Sequence, residues 1–237
     1  MKEVPSELAV ITGASKGIGK ATALALSRYD LELFITARNE NALKNLATKI
    51  QSNNVPCSYH VAELGDTNQI DQLVEQIKAK KKKLSLLVHC AGVAFVKPFH
   101  ELTLAQWKES LDINLTATFY LTQKCFPLLG TGSKIIFVNS VGGKRTFSNW
   151  SAYCASKYGL RALADTMRQE LQSKGIKVTS IYPASVDTPL HDNLPHSWDR
   201  TKMLSSDVVA DMIVSCYLQP QNVLIKEIDL ENISGTF

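Results

Sequence analysis

Seven short apolar runs recur along the chain with longer amphipathic segments between them, and this alternation constrains the fold more than any single residue does. The runs are LAVIT (8–12), LELFIT (31–36), VPCSYHV (55–61), LSLLVH (84–89), KIIFVN (134–139), KVTSIY (177–182) and NVLIKEI (222–228). Between them, segments at 17–29, 40–52, 67–80, 104–129, 151–174 and 206–217 carry apolar residues at helical spacing. Strands that alternate with helices of this length build βαβ units, and each crossover returns the next strand parallel to the last. Runs such as LAVIT and KIIFV are apolar almost throughout, as strands covered on both faces must be. The expectation is one α/β domain over residues 1–237, doubly wound, with a parallel sheet of about seven strands and helices on both faces. No linker, repeat or shift in composition divides the 237 residues.

Composition removes several function classes. Apolar residues at 45% and charged residues at 20% suit a soluble globular protein and exclude low-complexity disorder. The five cysteines (Cys57, Cys90, Cys125, Cys154 and Cys216) are odd in number and form no C-x-x-C pair, against both a disulfide framework and a zinc site. His60, His89, His100, His191 and His196 show no metal-ligand spacing, so no metal is expected. The longest apolar stretch, LSLLVHCAGVAFV, contains His89 and is too short to span a bilayer. No apolar signal segment precedes the first glycines. A cytoplasmic protein with no membrane partner is expected. The basic run KAKKKK (78–83) would serve a nucleic acid only with aromatics interleaved, and residues 70–90 contain none. It reads instead as a solvated helix end, and no nucleic-acid partner is expected.

The first run leads straight into TGASKGIGKATALAL. Gly13, Gly17 and Gly19 fall at the strand-to-helix turn, where the absence of a Cβ permits tight dihedrals and close backbone approach to a pyrophosphate. The helix that follows would aim its first amides at that phosphate. Strand, glycine turn and helix in this order are the context such a motif requires. At the end of the second run an acid would bind a ribose 2′-hydroxyl and repel a 2′-phosphate. LELFITARNE has no acid at Thr36 or Ala37, and Arg38 follows. The Arg38 fork and the Lys16 point charge suit a phosphate, so NADP(H) is the expected cofactor.

The segment SAYCASKYGL (151–160) places Tyr153 and Lys157 one turn apart on a helix face. TGASKGIG and YCASK together resemble the short-chain dehydrogenase/reductase family, and the resemblance runs from the first strand to the last. It implies a single Rossmann domain of this length and an oxidoreductase that interconverts a carbonyl and an alcohol of a small-molecule substrate. It also implies that Ser15 and Ile18 join the glycines in the cofactor site, and that Glu63 and Leu64 of VAELGD lie near the adenine. HCAG (89–92) occupies the family's N-A-G position, with Ala91 and Gly92 matching and Cys90 in place of asparagine. That replacement removes an amide that ties neighbouring strands. The Cys90 thiol is then either a nucleophile or an inert packing group, and inert is the usual state of a buried cysteine. In YPASVDTPL, Pro183, Val186 and Thr188 match the family's P-G-x-V-x-T, while Ala184 replaces its glycine. The resemblance implies contacts from Val186 and Thr188 to the nicotinamide carboxamide and the phosphates.

Ligands of a parallel α/β sheet bind beyond the carboxyl ends of its strands. KIIFVN ends at Ser140 and the Tyr–Lys helix comes next, so Ser140, Tyr153 and Lys157 can converge. Reduction of a carbonyl requires a proton for the developing oxyanion. A free tyrosine has a pKa near ~10, and a nearby ammonium is expected to lower it. Tyr153 is thus the expected general acid and base, Ser140 the group that polarises the substrate oxygen, and Lys157 the group that tunes Tyr153. The resemblance adds a nicotinamide-ribose contact for Lys157 and, for Asn114 in SLDINLTATFYL, support of a water relay.

A lid is expected over about 189–204, with Leu194, Trp198 and Trp150 as pocket-lining or packing residues. The helices at 104–129 and 151–174 correspond to the family's dimer faces, so a homodimer or homotetramer is expected. A catalytically silent NADP-binding regulatory protein is the alternative, and it would be expected to lack part of the Ser–Tyr–Lys set. The substrate is not specified. The tail QPQNVLIKEIDLENISGTF leans towards members that act on small hydroxy acids, pterins or miscellaneous ketones.

Overall fold

The computed structural model describes residues 7–194, 199–233 and 235. Its strands are β1 (Glu7–Thr12), β2 (Glu32–Ala37), β3 (Cys57–Val61), β4 (Lys83–His89), β5 (Lys134–Val138), β6 (Lys177–Pro183) and β7 (Glu227–Leu230). They form one sheet in the order β3-β2-β1-β4-β5-β6-β7, parallel throughout. The chain enters at β1, winds outward to β3, then returns to β4 and winds the other way. Strand order therefore reverses between β1 and β4, where the connecting loops part and leave a crevice at the carboxyl edge.

Helices α1 (Gly17–Leu26), α2 (Glu40–Gln51) and α7 (Ser206–Leu218) cover one face. Helices α3 (Thr67–Lys78), α5 (Ala117–Cys125) and α6 (Ser151–Gln172) cover the other. Each buries the stripe that its spacing predicts, as α3 does with Ile70, Leu73, Val74 and Ile77. Side-chain caps set three of the starts: Asn39 accepts from the Ala42 amide, Asp66 from Asn68, and Ser205 from Val208. A fourth helix, α4 (Leu104–Leu111), begins with a reciprocal capping box between Thr103 and Gln106.

Three expectations are corrected. The single helix expected over 104–129 is α4, a π-helical segment (Asp112–Thr116), α5 and a 3-10 turn (Phe126–Leu128). The widened turn surrounds Asn114, whose side chain is bound to neighbours on two sides, and Pro127 closes the far end. The last strand begins at Glu227 instead of 222, because Pro220 and the turn closed by Val223 N–H onto its carbonyl absorb the preceding residues. The basic run is not simply a solvated helix end. Lys80 and Lys82 lie 3.0 and 2.7 Å from the carboxylate of Glu32, which is 9% exposed.

Lysines also cap carbonyls at this amino edge of the sheet. Lys83 donates to the Thr131 carbonyl at 2.7 Å, Lys134 to that of Tyr217, and Lys177 to that of Pro220. The last two close the carboxyl end of α7, where a helix leaves carbonyls without partners. No helix among the described residues is long and apolar enough to cross a membrane.

Burial disfavours the Glu32 carboxylate, but hydrogen bonds and charge from Lys82 and Lys80 outweigh it and hold the group below the usual range. A carboxylate depressed in the folded state adds stability above its unfolded pKa and loses it as pH falls through the folded one. Glu32→Ala is expected to lose ~1–3 kcal/mol at pH 7, and the gap from wild type should narrow in acid. Urea denaturation at pH 7 and below pH 4 checks both.

Candidate active site

A cleft of about 830 Å³ runs along the carboxyl edge of the sheet. The turn after β1 supplies Gly13, Ser15, Lys16, Gly17, Ile18 and Gly19. Arg38 comes from the end of β2, Glu63 and Leu64 from that of β3, and Cys90, Ala91 and Gly92 from that of β4. The opposite wall holds Ser140, Tyr153 and Lys157, with Pro183, Val186 and Thr188 from the segment after β6. Of the catalytic and cofactor residues expected from the sequence, Asn114 is the one that stands behind the lining.

The glycines serve the protein's own backbone first. A Cβ on Gly13, whose φ is +65°, would come within 2.7 Å of the Ala91 nitrogen. One on Gly19 would lie 2.4 Å from the Gly13 carbonyl oxygen. The turn therefore packs directly on the end of β4 and folds back on itself, and a side chain at either position would push them apart. Helix α1 starts at Lys16 without a side-chain cap, so its first amides face the cleft as an anion cradle. Opposite, Thr188 comes so near Gly17 that a Cβ there would meet its methyl at 3.1 Å. Arg38 is exposed, and its Nη1 lies 3.3 Å from Glu63, whose other oxygen accepts from the Gly65 amide. This edge could hold a phosphate with Arg38 and Lys16, beside a carboxylate that orients the guanidinium.

The tie expected to be missing at Cys90 is made by Thr12. Its hydroxyl accepts from the amides of Cys90 and Ala91 at 3.1 and 3.2 Å and donates to the Val88 carbonyl at 3.5 Å. Burial pushes the Cys90 thiol up to about 12, against smaller opposing effects of Thr22 and Lys157. Cys90 is a packing thiol, far from the thiolate state a nucleophile needs. His89 beside it is buried, stacked on Phe137 with ring centroids 5.2 Å apart and hydrogen-bonded to Thr122. Burial holds it down to about 3, so it stays neutral. Among the described residues no group of His, Cys, Asp and Glu could hold a metal ion.

Ser140 ends β5 in extended backbone, and its hydroxyl accepts from the Gly142 amide at 3.0 Å. The same turn sets Ser140 beside Tyr153: a Cβ on Gly142 would meet Tyr153 Cε1 at 3.0 Å and the Ser140 hydroxyl oxygen at 3.5 Å. Asn139, missed in the sequence, fixes both sides: Oδ1 accepts from the Ser140 amide and Nδ2 donates to the Lys157 carbonyl. A polar residue closing an apolar strand was the signal that could have found it. Lys157 is buried, donates to the Val138 carbonyl at 3.0 Å and lies 5.7 Å from the Tyr153 ring centroid. Trp150 meets that ring edge-on at 5.3 Å. Asn114 braces the rear of the site. Its side chain accepts from the Val93 amide and donates to the Val93 carbonyl and to Ser156, each at 2.9 Å.

The net effect of the protein's own groups is to raise the Tyr153 pKa: burial pushes the phenol up to about 12 and outweighs the lowering effect of Ser140 beside it. Burial likewise brings Lys157 down to about 8. The expected depression by Lys157 is absent because its ammonium is turned to the Val138 carbonyl.

Of the segment expected as a lid, Pro189, Leu190 and His191 line the cleft, residues 195–198 lie outside the described residues, and Arg200 binds Asp187, at 2.7 Å, and Asp192. Trp150 also lines the cleft. Leu194 is half-buried outside the lining, and Trp198 lies outside the described residues.

The fold has counterparts among known proteins. A family model described as short chain dehydrogenase matches residues 7–198. A sepiapterin reductase of Chlorobaculum tepidum is 29% identical over 235 residues, covering 95% of this chain and 96% of its own. An uncharacterized oxidoreductase of Staphylococcus saprophyticus is 28% identical, covering 98% and 100%. Among solved structures, an actinorhodin polyketide ketoreductase variant with NADPH superposes with a TM-score of 0.88 at 24% identity, covering all of both chains. An alcohol dehydrogenase of the archaeon Thermococcus sibiricus, complexed with 5-hydroxy-NADP, does so with a TM-score of 0.87 at 24% identity, covering 96% and 97%.

The lowered Lys157 pKa has a measurable sign. Between about 8 and the ordinary lysine value of ~10.4, the unfolded chain binds more protons than the folded one, so stability rises with pH there. Lys157→Met lacks that rise. In urea denaturation at pH 7.5 and 9.5, wild type should gain ~1–2 kcal/mol more than the variant.

Proposed function

The chain belongs to the short-chain dehydrogenase family, and from that premise we propose that it is an NADP(H)-dependent oxidoreductase that interconverts a carbonyl and an alcohol. The observation that carries this reading is Ser140 and Tyr153 packed side by side with Lys157 buried behind them, facing a cleft whose far wall is an uncapped glycine turn. Bound at that wall, the cofactor supplies the hydride.

The protein's groups supply the rest. Burial keeps the Tyr153 phenol protonated at neutral pH, the form that donates to a developing oxyanion. The Ser140 hydroxyl, held by its main-chain bond, shares that oxygen and stabilises its charge. Lys157, poised near neutrality by burial, makes proton loss from Tyr153 easier when its ammonium faces the ring. Asn114 positions the Lys157 helix through Ser156. Arg38 and Lys16 select the 2′-phosphate, with Glu63 and Leu64 beside the adenine, and Val186 and Thr188 close over the nicotinamide end. Trp150, Phe147 and Leu190 give the cleft an apolar lining near Tyr153, which suits a neutral carbonyl compound with an apolar or aromatic body.

Nucleotide titration followed by fluorescence tests the cofactor: NADPH should bind more tightly than NADH, and Arg38→Asp should abolish the preference. Tyr153→Phe should lose ~10²–10⁴-fold in kcat with NADPH binding retained. Failure of either nucleotide to bind would remove the reading.

We also infer a homo-oligomer. Phe99, Leu104, Phe119, Phe126 and Tyr158 are exposed on or beside α4, α5 and α6, large apolar side chains that a partner copy would cover. Light scattering should give a multiple of the 26.2 kDa chain, and Phe119→Glu should shift the mass towards one chain.

A further inference from the structure

The loop that carries Ser140 is anchored at both ends, and only the first anchor belongs to the site described above. After Ser140 the chain makes the 3-10 turn Val141–Gly143, closed by the Gly143 and Lys144 amides onto the Ser140 and Val141 carbonyls at 2.9 Å. This turn lies hard against the tyrosine: a Cβ on Gly142 would come within 3.0 Å of Tyr153 Cε1. The spacing between the two hydroxyl-bearing residues therefore depends on where the turn sits.

Its far end is held by β7. The Lys144 ammonium lies 2.8 Å from the Glu227 carboxylate and 2.8 Å from that of Asp229, and 4.0 Å over the Tyr182 ring. Arg145 follows with a 2.6 Å bond to Glu231. Glu227 also accepts from the Tyr182 hydroxyl at 3.0 Å and faces Arg161 of α6 at 3.6 Å. Burial opposes the Lys144 charge, and the hydrogen bonds it donates to Asp229 and Glu227 outweigh that, so the ammonium is held up. Side chains of Lys144 and Glu227 are only about a quarter exposed, at 24% and 26%. A pair so placed is screened less than a surface bridge and fixes geometry better. Two acids of β7, and Glu231 just past its end, thus meet two consecutive cations that follow the serine turn.

We propose that Glu227 and Asp229 are positioning residues for Ser140, acting through Lys144: the last strand sets the distance between the Ser140 and Tyr153 hydroxyls. The assignment of Ser140 rests on the oxidoreductase reading above, whereas the anchoring of the turn does not. No group of this latch lines the glycine turn or the Arg38 edge, so nucleotide binding should be indifferent to it.

The experiment compares wild type, Lys144→Met, Lys144→Arg and the double variant Glu227→Gln/Asp229→Asn, first by hydrogen exchange. Amides 141–145 should exchange at least tenfold faster in Lys144→Met and in the double variant, with those of α1 unchanged. With NADPH and whichever member of a carbonyl panel wild type reduces fastest, kcat should fall about tenfold in both, and Kd for NADPH should stay within twofold. Lys144→Arg should restore most of the rate. Placed on Ser140→Ala, Lys144→Met should cost nothing further, since coupled residues are not additive. Unchanged exchange at 141–145 overturns the proposal, and so does faster exchange with full kcat or a cycle in which the two losses add. If wild type reduces no carbonyl, or Ser140→Ala is fully active, the oxidoreductase reading fails instead, and the exchange result still decides the anchoring.

Discussion

A parallel sheet ends in carbonyl groups that its ladder no longer serves, and a buried carbonyl without a partner costs about as much as a lost hydrogen bond. At the carboxyl edge of this sheet, side chains take that duty. Thr12 reaches the Val88 carbonyl and Lys157 that of Val138, while Asn139 ties the start of the next turn to α6. The residues that finish the sheet are the ones that shape the cleft. Lys157 serves both purposes with one ammonium, which is why it can be buried at 4% exposure and keep a partner. The amino edge follows the same rule with a different outcome, since Lys83, Lys134 and Lys177 are spent on carbonyls of turns and of α7 and face no cleft.

Desolvation governs the chemistry of the site. It raises Tyr153 and lowers Lys157, so both lean towards their neutral forms. A neutral phenol beside an ammonium whose charge is disfavoured by burial is a proton store more than an ion pair. It responds strongly to any charge brought into the cleft, because a low-dielectric site magnifies such a charge.

What was legible in the sequence was local. Strand runs, the glycine turn and the i, i+4 pair of Tyr153 and Lys157 each lie within a few residues, and the sheet with its helices followed from their alternation. The partners across the sheet were not. That Thr12 would replace the tie lost at Cys90 depends on β1 lying beside β4, and that Glu32 would bind Lys80 and Lys82 depends on β2 lying over the end of α3. The acids in and just after β7 that reach Lys144 and Arg145 are more than eighty positions away. Burial was equally invisible, and it reversed the expected shift of Tyr153. The π-helical segment escaped because five residues are too few to alter a helical period.

That segment is also a register device. Its wide turn, closed from the Ala117 amide to the Asp112 carbonyl, holds one residue more than an α-turn over the same advance. Loss of one residue from Asp112–Thr116 would yield a more regular helix with better local propensity. Because the wide turn absorbs its extra residue, α4 and α5 would keep their seats on either side of the cut, and what would be lost is the bulged position that presents Asn114 to Val93 and Ser156. The irregular turn therefore exchanges helical regularity for one polar brace behind the site, and a one-residue change there would remove the brace without unseating its neighbours.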